Sequence, residues 1–365
     1  MKRNLLFIGY ELKYLFRQRF LQFLVIMICL FTLYGANVKV YPKDWDFTFY
    51  DRYEKEQSYE GLTENQISAI EFSKMGIENI KNERNSIYEM AVEQKKTLKH
   101  PKGYEWEYLS KAEKIYGKEI SLNVRDYRGW GQYFASKAMM LQHSKMALFT
   151  LIILVSAGLF LLSKDWTNGT LFWSSYTGKG VTWLSYGTKI AAILLYGFCV
   201  QLIQTVIQIL ILVFISGYDM RHWMDPIQNL SAFSTCCFSL SMIGLLVVHL
   251  FLLNVAALFI IFFTVLFIRI LKKDLLLFVG GIGVTGILYA HVYLCDKSRI
   301  FNFLWRINPL SVVQMDHVLQ YDMWNLAGHA ILAQTGVVCI WAIMLVVLCF
   351  GSYQMWRRYL NETGT

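Results

Sequence analysis

Acidic residues are missing from the interior of every long apolar stretch of this 365-residue chain, and prolines number only four. Charged residues make up 17% and hydrophobic ones 55%, against about 25% and 45–50% in soluble globular chains. That shortage of charge argues against a soluble globular protein and for one that lives in lipid. The seven cysteines (Cys29, Cys199, Cys236, Cys237, Cys295, Cys339, Cys349) lie mostly in or beside apolar segments, with none between Val38 and Lys145. No disulfide framework and no CxxC metal spacing results, so they read as small buried apolar residues. Catalytic constellations are missing too. His100, His143, His222, His249, His291, His317 and His329 show no metal-ligand spacing, and no serine sits in GxSxG.

What the chain has is apolar length. Six stretches meet the roughly 20 mostly apolar residues of a helical span: 20–37, 146–163, 188–216, 244–268, 275–294 and 329–355. The expected fold is all-α, a polytopic membrane protein of six transmembrane helices with a helical domain outside the bilayer. The stretch 188–216 exceeds the needed length, so it should tilt, kink or emerge from the membrane. Segment 217–243 reads as extracytoplasmic or interfacial. Its part from Gln228 to Ile243 reads as interfacial or re-entrant at the outer end of the fourth span, or as part of a longer tilted helix. Residues 295–328 read as an outer loop with short helices. A signal peptide at the N-terminus is disfavoured because the first apolar run is too long and lacks a small-residue cleavage site.

Lys and Arg set the orientation. With both termini inside, the inner segments 1–19, 164–187, 269–274 and 356–365, with span-edge residues, hold thirteen cations and four acids (Glu11, Asp165, Asp274, Glu362). That balance equals the whole net charge of +9. The outward segments are neutral overall and contain all four prolines (Pro42, Pro101, Pro226, Pro309). The basic excess matches the cytoplasmic face of a plasma membrane, and no nucleic acid is needed to explain it. Residues 1–19 mix aromatics with Lys13, Arg17 and Arg19, which suits an amphipathic helix in the inner interface.

The outward block 38–145 is the one sizeable polar domain. Thr63-Glu-Asn-Gln66 matches a capping box, and a helix should run from there to about Leu98, with further helical patterns at 105–116 and 129–145. Its charges are balanced and interspersed, as on a solvated helical hairpin.

Inside the spans, Gln201, Gln204, Thr205 and Gln208 share one helix face. Amides in hydrocarbon need partners, so this face points at protein or water: interhelical hydrogen bonds, a conduit lining or a subunit interface. His249 and Asn254 on the next span read the same way, more weakly. Gly281-Ile-Gly283-Val-Thr-Gly286 matches GxGxxG, but it sits inside an apolar span, and Arg306 stands where a dinucleotide site needs an acid. With Gly280, these glycines read instead as close-packing positions between helices. Gly178-Lys179 is not a phosphate loop, since Trp173 and Gly180 replace the required Gly and Ser/Thr. A transport function would therefore draw energy from another polypeptide or from an ion gradient, and the missing intramembrane acids argue against ion coupling. They also disfavour an intramembrane enzyme.

The remaining feature is a polar, aromatic-rich segment between the second and third apolar stretches. Asp165 is followed after three residues by Gly169-Thr170-Leu171, and Lys189 opens the next span. This spacing resembles that of ABC-2 type transporter permeases, and the layout of six spans, interfacial N-terminal helix and outward domain is similar too. The usual proline after the small-residue turn is replaced here by Tyr176-Thr-Gly-Lys-Gly180. The resemblance implies a transport subunit without catalytic residues, bound metal or cofactor of its own. Two ABC ATPase subunits would carry ATP and Mg, and a second permease chain, identical or homologous, would complete the path through the lipid bilayer. In such a subunit Asp165, Trp166, Asn168, Gly169, Thr170, Leu171, Phe172, Trp173, Trp183 and Lys189 form the ATPase-coupling interface, where large aromatics act as anchors. The implied cargo is a peptide, or a drug-like or lipid-like amphiphile. The alternative from another class is a membrane sensor or immunity component whose outer domain binds an antimicrobial peptide without moving it.

Overall fold

The computed structural model describes residues 2–35, 45–98, 100–134, 147–162, 183–268, 274–294 and 299–363. In chain order the helices are α1 (Lys2–Arg17), α2 (Arg19–Gly35), α3 (Thr48–Glu56), α4 (Glu64–Thr97), α5 (Tyr104–Tyr116), α6 (Arg128–Phe134) and α7 (Ala147–Leu162). They continue with α8 (Trp183–Phe214), α9 (Met242–Ile268), α10 (Asp274–Leu294), α11 (Arg299–Ile307), α12 (Met315–Val318) and α13 (Ala333–Thr363). Three apolar stretches, in α8, α9 and α13, are long enough to cross a membrane, and shorter apolar helices occupy Arg19–Leu30, Ala147–Leu162 and Val279–Val292. Each stretch read as a span from the sequence thus contains an apolar helix.

Helix α7 sits at the centre of the apolar bundle. Leu151, Leu154, Ala157 and Leu161 are fully enclosed there, together with Ala192 and Tyr196 of α8 and Ala256 and Ile260 of α9. At one end of the bundle Tyr186 of α8 meets Phe262 of α9 and both Tyr353 and Trp356 of α13, and its hydroxyl bonds that of Ser352 at 2.6 Å. Helix α1 lies against this same end. Its buried stripe is Phe7, Glu11 and Leu15, spaced by four, while Leu5, Leu6, Tyr10 and Phe16 stay exposed.

The opposite end carries a polar lobe. Helix α4 starts at the expected capping box, with Gln66 N–H donating to Thr63 Oγ1 and Thr63 N–H to Gln66 Oε1. It passes through Gly76 unbroken and packs against α5. This lobe is not built from 38–145 alone. Arg84 donates to Ser234 O at 3.0 Å, Tyr116 to Thr235 O at 2.7 Å, and Tyr104 to Met323 O at 3.1 Å. Segments 216–241 and 315–332 are therefore part of the same body.

Several expected boundaries shift. Helix α8 begins at Trp183, so residues 183–187 belong to its first turn and not to the preceding loop. Residues 227–241 contain no α-helix reaching back from the fourth apolar stretch. They make two 3₁₀ turns, Ile227–Asn229 and Ser231–Phe233, before α9 begins at Met242. An all-α fold also omits a hairpin of β1 (Met323–Leu326) and β2 (His329–Leu332), paired antiparallel with Leu326 opposite His329. Its two-residue turn needs positive φ at both positions, supplied by Ala327 at 52° and Gly328 at 90°. The last apolar helix consequently starts at Ala333, not at 329.

The glycines of the expected close-packing stripe divide. A Cβ on Gly281 would lie 2.6 Å from Leu159 Cδ1, whereas Gly283 and Gly286 face open space within the chain. Close packing therefore holds for Gly281 and not for those two. A second tight crossing occurs at Gly197, where a Cβ would overlap Asn254 Oδ1 and lie 2.9 Å from Leu154 Cδ2. In thermal unfolding of the purified chain, G197V should lower stability by roughly 1–3 kcal/mol through overpacking, and G286A should leave the midpoint within error.

Candidate functional site

Residues 163–182 lie outside the described part of the chain, and with them Asp165, Trp166, Asn168, Gly169, Thr170, Leu171, Phe172 and Trp173 of the expected coupling surface. Trp183 and Lys189, on either side of the first turn of α8, are described. Trp183 is 47% exposed and stacks on Tyr353 of α13, with ring centroids 3.7 Å apart. Lys189 is wholly enclosed. Its Nζ lies 3.0 Å from Glu11 Oε1 and 3.4 Å from the Leu161 carbonyl, with side-chain exposures of 0% for Lys189 and 1% for Glu11. One lysine therefore joins α1, the last turn of α7 and the first turns of α8. Its charge is neutralised inside the bundle by Glu11.

The physical reason is desolvation. A lone ammonium or carboxylate taken out of water costs several kcal/mol, so each requires the other. The sequence carries a sign of this pairing in Glu11, the one acid in an N-terminal helix otherwise charged by Lys and Arg. Single replacements E11L and K189M should each lower stability by about 3–5 kcal/mol, while the double variant E11L/K189M recovers most of the loss. A double-mutant cycle by denaturant or thermal unfolding measures this.

The amide face of α8 is buried at all four positions. Asn254 of α9 donates through Nδ2 to Gln201 Oε1 at 2.9 Å, and Gly197 is what lets it approach. Thr150 of α7 donates to Gln204, and Thr205 shares a 3.1 Å bond with the Tyr133 hydroxyl of α6. Gln201, Gln204 and Thr205 thus form interhelical hydrogen bonds, as polar groups in an apolar setting require. His249 is buried on α9.

Sequence reading missed the electrostatic centre of the polar lobe. Arg125 bonds Asp51, Glu54 at 2.6 Å and His222 Nε2 at 2.8 Å, and lies 3.7 Å from Asp225. It joins α3 to the turn at 219–225. Because Arg125 donates, His222 must accept through Nε2 and is neutral, and burial together with the Arg125 charge holds its pKa below the ordinary value. Two Asp-x-Arg turns flank this centre. In Asp126-Tyr-Arg128 and Asp219-Met-Arg221 the arginine N–H donates to the aspartate Oδ1 at 2.9 Å, and its guanidinium returns to both carboxylate oxygens. The repeated D-x-R spacing was the available signal. Burial pushes Asp126 up to about 6, with the Asp219 carboxylate adding to the rise and the Arg128 backbone N–H opposing it.

Beside Asp126 and Arg128 a cavity of about 320 Å³ opens between α4 and the stretches 123–132 and 229–232. Phe72, Ile77, Ile80 and Leu230 supply apolar wall, and Asn123, Asn229 and Gln132 polar wall. Among the described residues no group of His, Cys, Asp and Glu is placed to hold a metal ion. No protein-family model, curated protein or solved structure matches this chain.

The raised pKa has a defined sign. Folding strengthens the hold of Asp126 on its proton, so this group adds stability as pH falls from about 7 to about 5. His222, held neutral in the folded chain, acts in the opposite sense over the same window. Unfolding midpoints of wild type and D126N across that window should therefore diverge, wild type gaining relative to the variant toward acid.

Proposed function

We propose that the chain is the transmembrane subunit of an ATP-driven exporter of the ABC-2 type, spanning the plasma membrane six times with both termini in the cytoplasm. A second permease chain and two separate ATPase subunits, which bind the ATP and Mg, complete the machine, and the cargo is an amphipathic peptide, drug-like or lipid-like molecule. The observation that carries this reading is the lysine clamp. Leu161 near the end of α7 and Lys189 in the first turns of α8 are held together by the 3.4 Å contact, so the two helix ends on either side of residues 163–182 are fixed to each other. Helix α1 braces that place from the side through Glu11. Helix ends tied together in this way move as one unit, as the ends that receive force from an ATPase must. Trp166, Phe172 and Trp173 on that segment are residue types that anchor protein interfaces.

A second reading, a sensor whose outer domain binds a peptide without transporting it, draws on the cavity beside Asp126. ATP-dependent uptake of cargo into inverted vesicles separates the two, since a sensor produces none. For the exporter reading, W166A/W173A should weaken co-purification of the ATPase subunits at least tenfold and lower stimulated ATP turnover in proportion. Unchanged association and turnover in that double variant overturn the assignment of the segment.

A further inference from the structure

A second cavity, of about 270 Å³, lies between the first turns of α9 and α13 and the turn at Pro309–Val313. Its walls are apolar: Val248 and Leu252 of α9, Val337 and Trp341 of α13, with Trp305 and Val312 completing them. At about 1.5 Å per helical residue, Val248 and Leu252 stand roughly 9 and 15 Å into α9, and Val337 and Trp341 roughly 6 and 12 Å into α13. Both helices are long and apolar enough to cross a membrane. A bilayer's hydrocarbon core is about 30 Å thick, so the cavity sits at the depth of one leaflet's acyl chains, on the side of the polar lobe.

The polar groups on the wall are already committed. The indole N–H groups of Trp305 and Trp341 donate to Val292 O at 3.0 Å and to Ile307 O at 2.8 Å. Gln334 Nε2 donates to Val318 O and Gln320 O, and its Oε1 is inaccessible to solvent. The Arg306 guanidinium lies 2.9 Å from the Asp322 carboxylate. What remains is Ser311, itself buried. A trapped water needs two to four polar partners, a peptide brings backbone N–H and C=O groups that must be paired, and an anion needs an uncompensated cation. The wall supplies none of these, and hydrocarbon requires none of them. Dry apolar cavities of roughly 150 Å³ take a guest the size of benzene, and this one is larger.

We propose that this cavity holds part of one acyl chain of a membrane lipid, which enters past Val338. Val338 is 59% exposed, while the other residues on the wall are buried or half-buried. Cys339, Ile343, Val346 and Val347 continue an exposed apolar surface along α13. In a bilayer that surface meets acyl chains, so they are the hydrocarbon already present where the cavity reaches the outside. A chain that turns in at Val338 exchanges lipid contacts for contacts with Trp341, Leu252 and Val312 and crosses no water. Its methylenes also restore the dispersion contacts that a void denies its lining. The site rests on α9 and α13 crossing a bilayer and not on a partner ATPase.

The test uses the full-length chain in nanodiscs that contain a phosphatidylcholine with a diazirine in one acyl chain. After irradiation, adducts are located residue by residue by mass spectrometry. Val338 and Cys339, which are exposed, should be labelled in every folded variant. Val312 and Leu319 line the cavity and are buried. They should be labelled in wild type and at least tenfold less in V248F/V337F, whose added rings fill the space. In detergent, adding the same phospholipid should raise the unfolding midpoint of wild type by several degrees and leave that of V248F/V337F unmoved. Labelled Val338 with bare Val312 and Leu319 in folded wild type overturns the proposal and leaves the cavity dry. Bare Val338 and Cys339 as well overturn it together with the placement of α13 in lipid. Adducts on Val312 that persist undiminished in V248F/V337F also overturn it. So does labelling of Val312 by photoactivatable adamantane and not by the phospholipid, which assigns the cavity to free apolar molecules. If the double variant does not fold, V337F alone is read by the same criterion.

Discussion

Neutralising one buried lysine organises one end of the apolar bundle. Lys189 enters the apolar bundle at the first turns of α8, where water cannot solvate it, and the carboxylate that balances it comes from the N-terminal helix, 178 positions away. The pairing makes α1 part of the bundle and not a detached helix on its surface. It also draws the end of α7 to the start of α8 through the Leu161 carbonyl. The aromatic cluster of Tyr186, Tyr353 and Trp356 beside it adds apolar contact and ties in the C-terminal helix. Electrostatics settles which elements meet there, and packing supplies most of the cohesion.

The same requirement recurs through the apolar interior in weaker form. Gln201 with Asn254, Gln204 with Thr150, and Thr205 with Tyr133 link α6, α7, α8 and α9 by one hydrogen bond per pair. Such bonds average well under 2 kcal/mol each in lipid, so their value is in register. A helix with several amides on one face has one rotation that serves them all. Gly197 belongs to this arrangement because Asn254 reaches Gln201 only where no side chain intervenes.

Helix content, the positions of the apolar helices and the burial of the Gln face were legible in the sequence because each depends on a periodic or compositional signal carried by neighbouring residues. The capping box at Thr63 was legible for the same reason, and helix α4 begins where it predicts. What escaped were features made by distant residues. Glu11 and Lys189 are 178 positions apart, and no local pattern links them. The role of Arg125 emerges only when α3 and the 219–225 turn are brought together. The β-hairpin was hidden in an outer loop because its turn uses Ala327 at positive φ, a residue that gives no turn signal. The glycines at 281, 283 and 286 show the converse, since a periodic stripe implied contacts that Gly281 makes within the chain and Gly283 and Gly286 do not.

The polar lobe carries a consequence for how the chain matures. Tyr104 bonds Met323, Lys111 bonds Ala330 and Tyr321 bonds Tyr108, contacts that bridge more than 200 residues. During synthesis α4 and α5 emerge early, yet their partners follow only after four more apolar helices have been made. Closing so long a loop is slow, and until it closes Tyr108 and Tyr116 of α5 lack the Tyr321 ring that packs against both. Completion of the lobe thus reports that the final hairpin has reached the same side of the bundle, a built-in check on assembly.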